Sequence, residues 1–197
     1  MARAAESTKR PPEVLTADEM RALIGACSNR APTGIRNRAL IVLMWRCGLR
    51  VGEALSLEPR DVDLEAGTVR VRHGKGDRSR TVGIDPQAAA VVGRWIDRRK
   101  ALGHNGHRKL ICTLDGQPLR QDYVRHLLRR LATKAGIERR VHPHALRHTY
   151  AAELARERVP MNVLRDALGH STLATTDRYL RDVAPVHVID VMQARDW

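Results

Sequence analysis

A chain of 197 residues is long enough for one well-packed domain, and a hydrophobic content of 43% excludes an intrinsically disordered protein. The longest apolar run, residues 39–45, is far shorter than the roughly 20 apolar residues of a transmembrane helix, so no membrane partner is expected. The 35 Lys and Arg residues against 22 Asp and Glu give a net charge of +13, which predicts a polyanionic partner, nucleic acid before an acidic membrane.

The three cysteines, Cys27, Cys47 and Cys112, show no C-x-x-C spacing, and their number is odd. The basic N-terminus is not followed by the hydrophobic segment of a secretory signal. We therefore expect reduced, buried thiols and a cytoplasmic protein.

The predicted elements begin after a polar lead-in, residues 1–15, which we expect to be flexible. Thr16 and Glu19 have the spacing of a capping box, and this pair predicts a helix that runs to about Cys27.

A second helix is predicted over residues 35–47, and it is nearly apolar on all sides over residues 39–45. Such a helix is buried all round, and Gly48 is a suitable residue to end it. Arg50 follows directly, with Glu53 three residues later on the same helical face. The pair is either a surface ion pair of little value or an arginine that its carboxylate neighbour positions at a site.

A basic β-hairpin is predicted next, because residues 68–72 and 80–84 alternate with the period of a strand. Its tip has glycines on both sides of Lys75, which allow a close approach to another backbone. A hairpin of this size can enter a DNA groove. Its candidate DNA contacts are Arg72, Arg78 and Arg80.

Two more helices are predicted over residues 86–102 and 119–135, with a short buried strand at 110–113 between them. The second of these helices has a basic face, which is either only solvated or a contact surface for the phosphate backbone. The candidate DNA contacts on this face are Arg125, Arg129 and Arg130.

Residues 142–179 gather the side chains that can perform chemistry. Arg147 stands between His144 and His148, and His170 and Tyr179 follow after predicted helices at 143–157 and 159–168. An arginine fork matches two phosphate oxygens, imidazole moves protons near neutral pH, and a phenol can become a covalent nucleophile. This set suits chemistry on a phosphate diester.

A metal site is the weaker interpretation of the same stretch. His144 and His148 are four residues apart, but the position after His144 is Ala145 rather than the glutamate of H-E-x-x-H. Arg147 between them would repel a divalent ion, so no metal is predicted.

With its motifs in this order, the chain resembles the catalytic domain of the tyrosine recombinases, the phage-integrase and Xer-like enzymes that cut and rejoin DNA. The resemblance extends from about Thr16 to Leu180. Its motifs are G-L-R-V-G-E-A-L, G-K-G-D-R, H-A-L-R-H-T, L-G-H-S and T-T-D-R-Y. It implies an α+β, mainly helical fold with a small antiparallel sheet, a catalytic domain over 16–181, and a tail at 182–197 that packs in trans on a neighbouring protomer.

The resemblance also implies a role for each residue of the set. Tyr179 attacks the scissile phosphate and forms a 3′-phosphotyrosyl link, while His144 accepts its proton. Arg50 and Arg147 bind the non-bridging oxygens, which stabilises the transition state.

Three further roles follow from the same family. His170 donates a hydrogen bond to the phosphate, Lys75 protonates the leaving 5′-oxygen, and Glu53 supports the site. No metal or nucleotide cofactor is required, and the partners are double-stranded DNA and other recombinase protomers in a tetrameric synaptic complex.

Two other functions share parts of this residue set: a type IB topoisomerase-like relaxing enzyme, and a DNA-binding accessory protein without catalysis. All six catalytic-type positions are filled, which favours an active enzyme. Members of the family usually carry a separate N-terminal core-binding domain, whereas only about 15 residues precede the catalytic segment here. The chain is therefore either an excised catalytic fragment or a naturally minimal protein, and we expect tight DNA binding to need more than this segment.

Overall fold

The computed structural model describes residues 13–72, 79–104, 108–170 and 172–183, with the side chains of 178, 179 and 181–183 outside the description. Within these ranges the protein is mainly helical with one small antiparallel sheet, as the sequence predicts. The helices are α1 (Ala17–Gly25), α2 (Pro32–Arg46), α3 (Val51–Ser56), α4 (Pro86–Ala101), α5 (Gln121–Lys134), α6 (Pro143–Arg156), α7 (Met161–Leu168) and α8 (Leu173–Val183). The strands are β1 (Val62–Asp63), β2 (Thr68–Val71) and β3 (Arg80–Gly83).

The predicted capping box of α1 is confirmed. The hydroxyl of Thr16 accepts from the backbone N–H of Glu19, whose carboxylate accepts from the Thr16 N–H at 2.7 Å. Residues 13–15, which we assigned to the flexible lead-in, pack on the domain instead. Leu15 is buried, and its N–H donates to the Thr149 hydroxyl at 2.9 Å. The packed part of the chain therefore begins before Thr16, because this leucine completes the core beneath α1.

Helix α2 is the centre of the core and packs against α4. Every residue from 39 to 44 is at most 3% exposed, which confirms the predicted buried helix. The helix begins at Pro32, three residues earlier than predicted, because proline fits the first turn, where its missing N–H has no helical partner. Gly48 follows its end with a φ of +59°, a left-handed conformation that glycine adopts without strain.

The sheet is antiparallel with the order β1-β2-β3. The predicted hairpin is confirmed, and its register pairs Val69 with Val82 and Val71 with Arg80. All three of these valines are buried against the helices. The sequence analysis did not predict β1, because two residues carry no readable alternation; they form a strand by pairing with β2.

Residues 110–113 are not the strand that the sequence predicts. Leu110, Ile111 and Cys112 are completely buried, but only an isolated bridge joins Cys112 to Pro118. The N–H of Leu110 donates instead to the carbonyl of Leu57 at 2.7 Å. Burial therefore explains the apolar run without any ladder of strand hydrogen bonds.

The three cysteines are buried free thiols, as expected. In the described ranges, the helices are all too short or too polar to cross a membrane.

The last three helices form a second, smaller core around Ala151, Ala152, Leu164 and Leu168, with Leu180 of α8 packed against it. Gly169 ends α7 with a φ of +60°. Ser171 precedes α8 in the sequence and is a residue type that caps helices, but it lies outside the described residues. This second core packs α7 and α8 against α6, and α6 in turn packs against α2.

Candidate active site

Glu53 is the carboxylate around which two arginines are arranged. Its side chain is only 4% exposed. Arg50 donates to Oε1 from Nη1 at 2.7 Å and to Oε2 from its backbone N–H at 2.9 Å. Arg80 donates from Nη1 to Oε1 at 3.0 Å and from Nη2 to Oε2 at 2.8 Å. Glu53 is thus a buried carboxylate shared by two arginines, and Arg50 and Glu53 do not form an ordinary surface ion pair.

The charge of Glu53 is stabilised by these neighbours. Burial alone would raise the pKa of its carboxyl group, but hydrogen bonds from the Arg80 side chain and from the Arg50 backbone lower that pKa to about 2. The carboxylate is therefore ionised at every pH at which the protein would work.

Arg80 has further contacts that the sequence did not indicate. Its Nε donates to the carbonyl of Ala167 at 3.2 Å, near the end of α7. A Cβ on Gly169 would lie 3.0–3.1 Å from the Arg80 side chain, so the glycine lets the guanidinium pack closely. The Arg80 side chain is 11% exposed. One arginine of the hairpin therefore connects β3, α3 and α7.

Arg147 lies in α6 and is 3% exposed. Its Nη1 donates to the carbonyl of Gly48, and its Nη2 donates to the carbonyl of Leu168. These two hydrogen bonds fix the orientation of the guanidinium plane. Arg50 and His170 each follow one of these carbonyls by two residues, so Arg147 brings the two segments together.

His144 lies in the first turn of α6 and is solvent-exposed. Its ring centroid is 6.4 Å from that of His142 and 6.3 Å from that of His148. Partial burial, then the positive fields of His142, Arg147, Arg50 and Arg125, lower the pKa of His144. The ring is therefore neutral at neutral pH, the state that can accept a proton.

His170 lies directly after Gly169 at the end of α7. Burial, then the charges of Arg147, Arg50 and Arg80, lower the pKa of its ring to about 4. Its Nδ1 is 3.1 Å from the hydroxyl of Thr176 in α8. A neutral ring at neutral pH can donate one hydrogen bond and accept another.

The structure thus brings together four of the six residues predicted to be catalytic. They are Arg50, His144, Arg147 and His170. Both histidines lie close enough to the two arginines for the arginine charges to lower the histidine pKa values. Lys75 and Arg78 lie outside the described residues. The backbone of Tyr179 belongs to α8, which packs against α6 and α7, but its side chain is outside the description.

A basic cleft of about 560 Å³ extends from the site along α5. Val51, next to Arg50, forms part of its wall. The basic and imidazole side chains that line it are Arg125, Arg129, Arg139, Arg140, His142 and His144. The cleft therefore presents a run of positive charge that leads to the candidate catalytic residues.

The other predicted DNA contacts lie elsewhere. Arg130 lies near Cys27, where its charge opposes the rise in thiol pKa that burial causes. Arg72 pairs through Nε with the buried carboxylate of Asp61. The sequence analysis did not single out Arg139 and Arg140, which line the cleft, although two consecutive arginines shortly before H-P-H were a readable signal.

No group of three or more His, Cys, Asp or Glu side chains in the described part of the chain is arranged to hold a metal ion.

Comparison with known proteins agrees with this fold. Residues 13–184 match the model of the phage integrase family. The tyrosine recombinase XerC of Alcanivorax borkumensis is 34% identical over 179 residues, which cover 90% of this chain and 58% of that protein. The chain therefore spans little more than half the length of this curated relative.

Two solved structures are also similar. XerA recombinase has a TM-score of 0.81 and 28% identity, covering 96% of this chain and 68% of the other. XerH recombinase, bound to its palindromic difH substrate in a post-cleavage complex, has a TM-score of 0.77 and 27% identity, covering 97% of this chain and 54% of the other. The resemblance and the fold expected from the sequence are confirmed: this chain belongs to the phage integrase family of tyrosine recombinases.

Proposed function

We propose that this chain is the catalytic segment of a site-specific DNA recombinase, which cleaves and rejoins double-stranded DNA through a 3′-phosphotyrosyl intermediate. The observation that carries the proposal is the convergence of two arginines and two neutral histidines beside the helix that contains Tyr179. The relatives named above are recombinases, and one of them is described with its DNA substrate.

The chemistry begins at the phenol of Tyr179. A free tyrosine has a pKa of about 10, so attack on phosphorus at neutral pH requires a base. His144 can serve as this base because partial burial, and then nearby positive charge, keep its ring neutral. The phenol oxygen forms a bond to phosphorus, the bond to the 5′-oxygen breaks, and Lys75 supplies the proton to that leaving oxygen.

The arginines stabilise the charge that gathers on the phosphate. Arg50 and Arg147 are the proposed ligands of the non-bridging oxygens, and both are fixed before DNA arrives, Arg50 by Glu53 and Arg147 by two backbone carbonyls. Fixed donors need little reorganisation during the reaction, and for this reason they stabilise the charge of the transition state effectively. His170 donates an additional hydrogen bond.

The basic cleft is the proposed path of the DNA backbone. Its lining combines His144 with Arg125 and Arg129 of α5, so a strand whose scissile phosphate reaches Arg50 can place flanking phosphates along α5. Arg72, Arg78 and Arg80 stay predicted DNA contacts from the sequence, whereas Arg130, which lies near Cys27, is not expected to contact a strand on this path.

Covalent capture tests this function and identifies the target site in the same experiment. A pool of nicked random-sequence duplexes is incubated with the protein and denatured in SDS, and protein-linked DNA is isolated and sequenced to define the site. We expect a covalent band on that site that Tyr179→Phe abolishes. Tyr150→Phe removes another phenol hydroxyl and should keep the band.

The outcomes also separate the alternatives. A band that persists in Tyr179→Phe would refute the assigned nucleophile. Relaxation of any supercoiled plasmid by a monomer would indicate a topoisomerase, and DNA binding without a covalent band on any duplex would indicate an accessory protein.

We also propose that recombination requires four copies of the chain. An exchange between two duplexes cleaves four strands, and each chain supplies one Tyr179. The chain has two other tyrosines. The hydroxyl of Tyr123 accepts a hydrogen bond from the buried Arg36, and the ring of Tyr150 packs against Gly48. Analytical ultracentrifugation with the captured site should show four protomers on two duplexes; complete strand exchange by a single protomer would contradict this.

A further inference from the structure

Thr176 is the most deeply buried described side chain of α8. It is 0% exposed, whereas its described neighbours Leu173, Ala174, Thr175 and Asp177 are exposed. A buried hydroxyl is costly unless it has hydrogen-bond partners. Thr176 also precedes Tyr179 by three residues, one turn of the same helix.

The partners of this hydroxyl restrict where its single proton can be. The Oγ1 atom lies 3.1 Å from Nδ1 of His170 and 3.4 Å from the carbonyl of Thr172. The second distance exceeds the usual range of about 2.5–3.0 Å for a hydroxyl donating to oxygen. The same carbonyl also faces the backbone N–H of Thr176. The stronger contact is therefore the one to His170.

Because the ring of His170 is neutral, its contact with Thr176 decides which ring nitrogen carries the proton. With its pKa at about 4, the ring is neutral at neutral pH, so one ring nitrogen carries a proton and the other is unprotonated and can accept a hydrogen bond. Which nitrogen keeps the proton is set by the hydrogen bond that the other nitrogen makes. A hydroxyl that donates to Nδ1 leaves the proton on Nε2.

We infer that Thr176 is a positioning residue: its hydroxyl donates to Nδ1 of His170 and thereby fixes the tautomer in which Nε2–H can donate to a phosphate oxygen. The inference rests on the proposed function for the phosphate, but the tautomer itself does not depend on it. The same bond ties the helix of Tyr179 to the histidine. A shift of α8 would therefore disturb the donor and the nucleophile together.

Nuclear magnetic resonance tests the tautomer directly. In protein labelled with ¹⁵N at histidine, long-range proton–nitrogen correlations at neutral pH should show His170 with its proton on Nε2. Thr176→Val keeps the shape of the side chain and removes the donor, so we expect the Nδ1–H form to appear. Thr176→Ser should restore the Nε2–H form. A wild-type His170 protonated on Nδ1 would overturn the inference.

Single-turnover cleavage of the captured site tests the consequence. By analogy with residues that orient metal-bound histidines, we expect Thr176→Val to slow cleavage about 10- to 100-fold, and Thr176→Ser to recover most of the rate. Thr175→Val alters the exposed neighbouring threonine and should change neither readout. A folded Thr176→Val variant with the wild-type rate would also overturn the inference.

The two readouts separate the possible failures. If no duplex gives a covalent adduct, the proposed function fails, while the tautomer of His170 still decides the role of Thr176. If cleavage occurs but the tautomer is unaffected by Thr176→Val, the inference fails and the proposed function stands.

Discussion

At the scale of single residues, Arg80 has two competing roles that one variant can separate. The sequence predicts a DNA contact, whereas its contacts to Glu53 and Ala167 indicate that it supports the site from within. We expect Arg80→Ala to lower the free energy of unfolding by about 3 kcal/mol, because a buried carboxylate loses one partner. Urea denaturation measures this change.

A surface pair provides the control for Arg80. Arg21 pairs with Asp18 where both side chains are mostly exposed, so Arg21→Ala should cost less than about 1 kcal/mol. DNA affinity measured against salt adds the second criterion. If Arg80→Ala leaves stability unchanged and reduces the salt dependence of binding, Arg80 is a DNA contact as the sequence predicts.

Glu53 predicts a specific pH dependence of stability. Its folded-state pKa of about 2 is below the usual 4.5, so the unfolded chain binds more protons between these values and folding weakens as the pH falls through them. The shift corresponds to about 3 kcal/mol. The stability advantage of the wild type over Glu53→Gln should be full above pH 5 and should shrink steadily toward pH 2.

Urea titrations of both proteins at several pH values measure this difference. An advantage that is independent of pH would show that shape, and not charge, is what Glu53 contributes.

At the scale of elements, the turn between α2 and α3 depends on Gly48. Its φ of +59° is left-handed, and an added Cβ would lie 2.3 Å from the ring of Tyr150. Its carbonyl also holds Arg147. We expect Gly48→Ala to destabilise the protein by about 3 kcal/mol, from backbone strain together with overpacking, and to reduce cleavage by displacing the guanidinium.

Gly25 is the matched control for this turn. It has nothing within 4 Å of an added Cβ, so Gly25→Ala should change stability by less than about 1 kcal/mol in thermal unfolding. Equal effects of the two substitutions would contradict the importance of the turn.

The elements themselves were predicted well where a local signal exists. The capping box of α1, the apolar helix α2 and the paired strands β2 and β3 all have patterns within one segment. The buried run at 110–113 was misassigned, because burial alone does not distinguish a strand from an extended core segment. That distinction depends on a hydrogen-bond partner at Leu57, far away in sequence.

At the scale of the whole molecule, the basic cleft predicts how salt affects DNA binding. Arg129 and Arg140 line the cleft, and each should contact about one phosphate. We expect either substitution to alanine to weaken binding to a duplex and to reduce the slope of log affinity against log salt by about 1. Fluorescence anisotropy at several salt concentrations measures the slope.

Arg130 neighbours Arg129 in α5 but lies near Cys27. Arg130→Ala is therefore the control, and it should leave the slope unchanged. If it reduces the slope while Arg129→Ala does not, the DNA lies on the other side of α5.

Partial burial and the positive surroundings of His144 predict the pH range of cleavage. The pKa of His144 is lowered, so the ring stays neutral and able to accept a proton as the pH falls through 6.5, its usual value. We expect single-turnover cleavage to persist below pH 6.5 and to fall only at lower pH. In Arg125→Ala, which removes one of the permanent positive charges that oppose protonation of His144, the decline should begin at a higher pH.

The measurement is the cleavage rate on the captured site between pH 5 and 8. A wild-type rate that already halves at or above pH 6.5 would exclude a depressed pKa in a base that controls the rate.

The sequence by itself determined the family, the helical elements and the residue types at the site, because capping, periodicity and motif spacing are properties of short segments. Only the tertiary structure decided which charges meet. Arg80 reaches Glu53, Arg147 joins Gly48 to Leu168, and Thr176 touches His170. These contacts depend on how α3, α6, α7, α8 and the hairpin pack. Packing brings together residues distant in the chain, and no local pattern of residues encodes that arrangement.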